Sequence, residues 1–411
     1  MSIVVQKFGG TSVANIECIQ NVARLVLKEK NKGSKVAVVV SAMASVTNSL
    51  ADLAKRVSSL SDDLQLAEYD SILSTGEQVS SALLALVLRS YGINARSWLG
   101  WQVPVLTNNH YSKARIEKIH YEQLMQCLAN DQIPIIAGFQ AVTRDNRITT
   151  IGRGGSDTTA VALAAALKAD RCDIYTDVDG VFTADPRIVS SASKLSKISY
   201  EEMLELASLG AKVLHTRSVV MAMKHNVLVR VLSSFNEDSG TILINEDKQM
   251  EQRLVTAITC TRDEARITLS EVPKHIGVAA VFALLAEHDI NIEMIVQNVS
   301  KNSNHVDITF TSSKAELPKV EQILEKNMQA LKFADMNTDA NVSKVSAIGV
   351  GMLSHAGVAR EMFKILSEKA IDIIVISTSE IKISVLIAEE YMELAVRTLH
   401  TAFKLDSSAG D

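Results

Sequence analysis

Through about residue 245, short apolar runs rich in β-branched residues alternate with longer stretches of helical periodicity. The runs Ile3 to Gln6, Val36 to Val40, Ile133 to Ala137, Ile174 to Thr176 and Val227 to Val231 read as buried strands. Residues 158–168 and 200–209 read as helices between them. This alternation predicts a mostly parallel sheet with helices on both faces, a three-layer α/β/α domain over residues 1–245.

The pattern changes at Asn245-Glu246-Asp247-Lys248-Gln249, which reads as the start of a polar linker with a possible extra strand, 246–264. Beyond it the chain repeats itself. His275-Ile276-Gly277-Val278-Ala279 recurs as His355-Ala356-Gly357-Val358-Ala359, and Ile290-Asn291-Ile292 as Ile371-Asp372-Ile373, with Phe282 matched by Phe363. Each copy reads strand, glycine-bearing loop, helix, strand, strand, helix. That predicts two ferredoxin-like βαββαβ units, 265–340 and 341–411.

Composition narrows the function. The net charge is −5 without a block of Lys or Arg, which argues against nucleic acid as a partner. No apolar run is long enough to predict a membrane span, and the N-terminus enters a strand directly, so a cytoplasmic protein is expected. The four cysteines, Cys18, Cys127, Cys172 and Cys260, lack paired spacing and read as reduced thiols rather than a disulfide or zinc set. No side-chain cluster reads as a resident metal site.

Three loops carry candidate chemistry. Lys7-Phe8-Gly9-Gly10-Thr11-Ser12 closes the first strand. It is either an ordinary strand-to-helix turn or an anion site in which glycine lets the backbone approach a phosphate and Lys7 adds charge. Gly152-Arg153-Gly154-Gly155-Ser156-Asp157 opens an alanine-rich helix, with Ser156 or Asp157 the expected N-cap and Arg153 able to grip a carboxylate through two parallel hydrogen bonds. The third loop runs from Thr176-Asp177 through Phe182 to Asp185-Pro186-Arg187. It is either a solvated turn or the nucleotide end of the sheet. Lys212, in Gly210-Ala211-Lys212-Val213, is a candidate cation or a surface lysine.

Together with Val40-Ser41-Ala42-Met43 and Ser74-Thr75-Gly76-Glu77, these segments resemble the aspartokinases of the amino-acid kinase family, in the family's order and over essentially the whole chain. The C-terminal repeat resembles their paired ACT domains. The resemblance implies phosphorylation of the aspartate side-chain carboxylate by ATP and Mg²⁺, the first step towards lysine, threonine, methionine and diaminopimelate. A non-catalytic amino-acid sensor and a related kinase for another acidic substrate are the alternatives. By resemblance, Lys7 and Asp157 are catalytic. Ser41, Thr47, Glu77, Arg153, Gly154, Gly155 and Ser156 hold aspartate. Lys7, Phe8, Gly9, Gly10, Thr176, Asp177, Phe182, Asp185, Arg187, Lys212 and Val213 line the nucleotide. Ala44, Asn48 and Phe182 stand where glycine, aspartate and tyrosine are usual; no charged catalytic group is lost. A carboxylate nucleophile with a pKa of about 3.9 is already ionised, so such an enzyme needs cations and no general base.

The ACT pair implies amino-acid effectors, with lysine and threonine as candidates, and a homodimer or larger assembly. By resemblance the effector residues are Lys274, Gly277, Ala279, Gln297, Asn298, Gly357, Val358, Asp372, Ser379 and Glu380. Lys274 reverses the usual charge, Asp372 replaces asparagine and Ala356 replaces proline, which leaves intact and reduced or altered feedback as alternatives. Met250 sits where a separate regulatory subunit could start.

Overall fold

A computed structural model describes residues 2–210, 213–246, 253–299, 304–354 and 357–406. The chain divides into two compact units: Met1–Val181 with Lys194–Glu246, and Phe182–Ser193 with Asp247–Asp411.

The first unit is built on an eight-stranded sheet. In space the strands run Lys197–Ser199, Thr241–Ile244, Val229–Ser233, Arg171–Thr176, Ile3–Phe8, Lys35–Val40, Ile133–Ala137 and Ala95–Trp98. All neighbours are parallel except Val229–Ser233 with Thr241–Ile244. The neighbouring strands Ile3–Phe8, Lys35–Val40 and Ile133–Ala137 are buried almost end to end, as a sheet covered on both faces requires, and Gln6 and Lys7 are polar exceptions in the first. Phe8, Val38, Val40 and Ile135 face Ile19, Val22 and Val26 of the helix Ile16–Lys30 and Leu84 and Leu88 of the helix Thr75–Ser90. On the alternate positions Val39 meets the helix Gly155–Leu167, where Ser156 also approaches Gly138. A small four-stranded sheet, which the periodicity did not reveal, orders Ile116–Ile119, Val105–Thr107, Gln140–Val142 and Ile148–Thr150.

The adjoining helices Asp63–Leu73 and Thr75–Ser90 together are long and apolar enough to cross a membrane by length and composition. Here they form a core element, half buried, and carry the inward-facing acids Asp70 and Glu77.

The second unit has a six-stranded sheet in the order Glu293–Val299, His305–Ser312, Ala257–Pro273, Asp335–Ile348, Lys382–Ala388, Val375–Thr378. Two long central strands belong to both repeats. Ala265–Leu269 pairs with His305–Ser312 in the first, while Ala257–Thr261 pairs with Lys344–Ile348 in the second. The second repeat therefore takes its last strand from residues ahead of the first repeat, rather than from the C-terminus as a simple tandem requires. Register shifts at Glu264 separate the two halves of the strand. Helices Gly277–Glu287 and Leu317–Lys326 cover one apolar cluster, around Ile267, Phe310 and Val281. Helices Gly357–Glu368 and Met392–Ala402 cover the other, around Val345, Met362 and Leu399.

Candidate active site

The loops after five adjacent strands of the first unit meet at the carboxyl edge of its sheet, where open α/β sheets bind ligands. The strand Ile3–Phe8 delivers Lys7, which is 7% exposed. Its Nζ lies 2.6 Å from Asp157 Oδ1, joining the first and second glycine loops. The following backbone is pinned on both sides. Gly9 N–H donates to Tyr175 O at 3.2 Å, Ser41 N–H to Phe8 O at 3.0 Å, and the Phe8 ring stacks on Tyr175 at 4.6 Å. A Cβ on Gly10 would sit 3.0 Å from Ala42 O, so glycine lets these loops close. Ser12 and Ser234 hydroxyls pair at 2.9 Å, and Ser234 Oγ donates to Thr176 O at 3.1 Å, tying in the loop after the strand Arg171–Thr176.

The second loop is stereochemically committed to glycine. Gly154 has φ +67°, and a Cβ there would lie 2.2 Å from the His215 side chain. A Cβ on Gly155 would meet the Phe139 ring at 2.8 Å. Phe139 itself holds φ +66°, an uncommon backbone state for a ring-bearing residue and a place where strain is stored at a ligand end of the sheet. The expected N-cap is corrected. The helix begins at Gly155 with Gly154 as N-cap and no side-chain cap, because Ser156 and Asp157 already lie in its first turn and Asp157 turns to Lys7. First-turn amides without a side-chain cap, beside a lysine, suit an anion.

Glu77 is 3% exposed on the first turn of the helix Thr75–Ser90. Its Oε1 accepts from Ala42 N–H at 3.0 Å, while Oε2 meets no partner among the described residues. Burial pushes its carboxyl up to about 8, against the lowering by the Ala42 amide. Ser80 Oγ donates to Ser41 O at 2.7 Å and fixes the loop bearing Ser41; Thr47 lies half-buried in the first turn of the helix Val46–Val57.

Arg153 is exposed. Thr176 closes its own turn by accepting from Val178 N–H at 2.9 Å, Asp177 is exposed beside it, and Val213 is half-buried. Lys212 lies outside the described residues. Phe182, Asp185 and Arg187 fall in the second unit. There Arg187 grips Asp185 bidentately, with Nε to Oδ1 at 3.0 Å and Nη2 to Oδ2 at 2.6 Å, so neither charge stands alone. Among the effector positions, Gln297 and Asn298 lie on one edge strand of the regulatory sheet, and Ser379 and Glu380 follow the other. Lys274, Ala279, Gly357 and Asp372 are exposed, Gly277 is half-buried with φ +60°, and Val358 is buried. Ala356 and Met250 lie outside the described residues.

Sequence reasoning missed His215, Phe139 and Asp70. Asp70 is fully buried, and its carboxylate accepts from Ser112 and Thr150 N–H, each at 2.8 Å, and from Thr150 Oγ1 at 2.7 Å. Burial still holds its carboxyl above the ordinary range. Nothing local separates Tyr69-Asp70-Ser71 from an exposed helical acid. The Gly138-Phe139-Gln140 break after a buried strand was a usable signal.

Known proteins agree with this architecture. The amino acid kinase family model matches residues 2–233, and two ACT domain models match residues 277–327 and 345–403. An aspartate kinase of Pseudomonas fluorescens is 50% identical over 411 residues, covering 100% of this chain and 99% of that one. The crystal structure of Escherichia coli aspartokinase III with aspartate and ADP superposes with a TM-score of 0.80 at 28% identity, covering 97% of this chain and 99% of that one. The same enzyme with lysine and aspartate gives 0.78 at 29% identity, covering 98% and 99%. With its kinase sheet, glycine loops and paired regulatory repeats, the chain belongs to the amino acid kinase family, as an aspartate kinase with two ACT domains.

Proposed function

We propose that this aspartate kinase transfers the ATP γ-phosphate to aspartate at the junction of the two glycine loops, giving 4-phospho-L-aspartate. The observation that carries the reading is the buried Lys7–Asp157 pair, 2.6 Å apart, which sets a cation between the Gly9-Gly10 backbone and the N-terminus of the helix Gly155–Leu167. The obstacle to this reaction is the meeting of two anions, so positioning and positive charge are the main catalytic terms. Lys7 and the helix amides neutralise the transferred phosphate, and Asp157 holds the ammonium group in place. Glu77, buried and without a cation, receives the substrate's ammonium group. Exposed Arg153 folds onto a substrate carboxylate, with Ser41 after the strand Lys35–Val40, and Thr47 and Ser156 in the first turns of their helices, as further contacts. Among the described residues no three His, Cys, Asp or Glu side chains gather as a metal site. A Mg²⁺ bound through nucleotide phosphates, waters and one or two carboxylates, with Asp177 the exposed candidate, fits that donor set. When bound, the ion supplies charge neutralisation and phosphate orientation.

The regulatory unit reads as an amino-acid sensor. Escherichia coli aspartokinase III has been crystallised with lysine; here lysine and threonine are the candidate effectors, and Lys274 is the residue that alters their recognition. Assembly through the ACT units completes the proposal.

A hydroxylamine trap for acyl phosphate, run with ATP, Mg²⁺ and a panel of acidic substrates, tests the reaction. Trapping that depends on aspartate and disappears in Lys7→Ala is expected. Trapping undiminished in that variant would remove Lys7 from the mechanism. Separate and joint titration of lysine and threonine tests the sensor, and strong concerted inhibition would contradict altered feedback.

A further inference from the structure

We propose that Asp70 is a positioning residue for the substrate-carboxylate grip, clamping the backbone that leads into Arg153 while touching no reactant itself. The inference rests on the reading of Arg153 given above.

The segment from Thr150 to Gly152 connects the strand Ile148–Thr150 to Arg153. Its backbone polar groups are held by five residues. Asp70, from the helix Asp63–Leu73, receives the Thr150 N–H at 2.8 Å. Thr150 O accepts from Ala114 N–H at 3.0 Å, Ile151 N–H donates to Phe139 O at 2.9 Å, and Gly152 O accepts from Gly155 N–H at 2.9 Å. Ile151 O accepts from the Arg217 guanidinium, whose other nitrogen donates to Ala114 O at 2.9 Å. Asp70 and Arg217 thus hold the same two strips of chain, around Thr150-Ile151 and around Ser112–Ala114.

The link to Arg153 is steric as well as polar. Asp70 Oδ2 also receives the N–H of Ser112, a residue at φ +63°. The carbonyl of that same Ser112 lies against Gly152, where an added Cβ would approach it to 2.9 Å. Gly152, at φ +84°, has no side chain to brace itself, so Ser112 forms its wall. Losing the carboxylate frees Ser112 and Thr150 together, and with them both sides of the residue that precedes Arg153. The exposed Arg153 side chain is long, so its reach towards a carboxylate depends on where this backbone holds its Cα.

Asp70 is fully buried, so every polar atom of its side chain needs a partner inside the protein. What a carboxylate provides is acceptors for two backbone donors and a hydroxyl converging from two loops. Asparagine can reproduce this. Its Oδ1 takes the two backbone N–H groups, and its amide donates to Thr150 Oγ1, whose hydroxyl rotates to accept.

The experiment measures kcat and both KM values for Asp70→Ala, Asp70→Asn, Thr150→Val and, as a control for the underlying reading, Arg153→Ala, with thermal denaturation to show that each is folded. Asp70→Ala is expected to raise the aspartate KM about ten- to hundredfold with the ATP KM within about twofold, Thr150→Val to raise it a few-fold, and Asp70→Asn to stay near the unsubstituted enzyme. If Asp70→Ala fails to fold, Thr150→Val and Asp70→Asn carry the same test. A folded Asp70→Ala or Thr150→Val that leaves the aspartate KM unchanged, or weakens aspartate and ATP equally, overturns the clamp while Arg153→Ala remains defective. An unchanged aspartate KM in Arg153→Ala itself overturns the Arg153 reading, and the clamp falls with it.

Discussion

Glu77→Gln separates binding from stability. Glu77 is buried, accepts one hydrogen bond from Ala42 N–H, and holds its proton to about pH 8, where an ordinary glutamate loses it near 4.5. A folded-state pKa raised above the unfolded value means that the group's contribution is fully present below pH 4.5 and is lost as pH rises towards 8. From 4.5 to pH 7 the unfolded chain ionises Glu77 and the folded chain does not, at about 1.4 kcal/mol per pH unit, or roughly 3 kcal/mol in all. Glutamine keeps the shape and the Ala42 contact and cannot ionise. The variant should therefore be more stable than the unsubstituted enzyme by up to about 3 kcal/mol at pH 7, and about equal to it near pH 4.5. For a cooperative unit of 150–250 residues this corresponds to roughly 6–12 °C in melting temperature. Activity should move the other way, because an amide cannot balance an ammonium group, so the aspartate KM rises steeply while the ATP KM stays. Paired melting curves at pH 5, 6, 7 and 8, with kinetics at pH 7, check both halves. A melting-temperature gap that does not widen with pH would refute the buried, protonated Glu77, and an unchanged aspartate KM would refute its role as ammonium receptor.

The same group makes aspartate binding release a proton, so the aspartate KM of the unsubstituted enzyme should rise as pH falls below 8, approaching tenfold per unit; a flat profile from pH 8 to 6.5 counts against it. Lys7→Ala removes the cation paired with Asp157 and should lower kcat by several hundredfold or more, about 3–4 kcal/mol of barrier, with a circular dichroism spectrum unchanged. Gly154→Ala forces a Cβ to 2.2 Å from His215 at φ +67°, so activity should collapse; His215→Ala in the same chain relieves the clash but not the dihedral, and recovery should be partial. Asp173 is fully buried and receives Arg230 Nε and Nη2, each at 2.7 Å, so Asp173→Ala should destabilise the first unit by about 3–5 kcal/mol in urea, leaving Arg230 without its partner.

Much of the fold was legible because its rules are local. Buried parallel strands advertise themselves as β-branched runs, and the segment Ile133–Ala137 was found to the residue. The matched Gly277 and Gly357 positions disclosed the regulatory repeat before any coordinates. The short strands of the small sheet were silent, since three-residue segments such as Val105–Thr107 carry too little periodicity to register. The N-cap expectation failed for a nameable reason: Asp157 has a better partner, Lys7, 150 positions away in the chain.

What the sequence by itself determined is the set of local commitments: a βα alternation, glycines where backbone must meet an anion, cations and acids in adjacent loops, and a duplicated βαββαβ pattern, whose last strand in the second copy the structure takes from elsewhere in the chain. These follow from stereochemistry and from periods of two and 3.6 residues, which act over a few positions. Only the tertiary structure decided which acids are buried, and hence that Glu77 keeps its proton. It also decided that Phe182–Ser193 joins the second unit, that one strand, Ala257–Pro273, opens the first regulatory repeat and completes the second, and that Asp70 reaches Ser112 and Thr150. Burial and strand pairing are set by segments far apart in the chain, and a pKa follows burial, so no window of local sequence contains them.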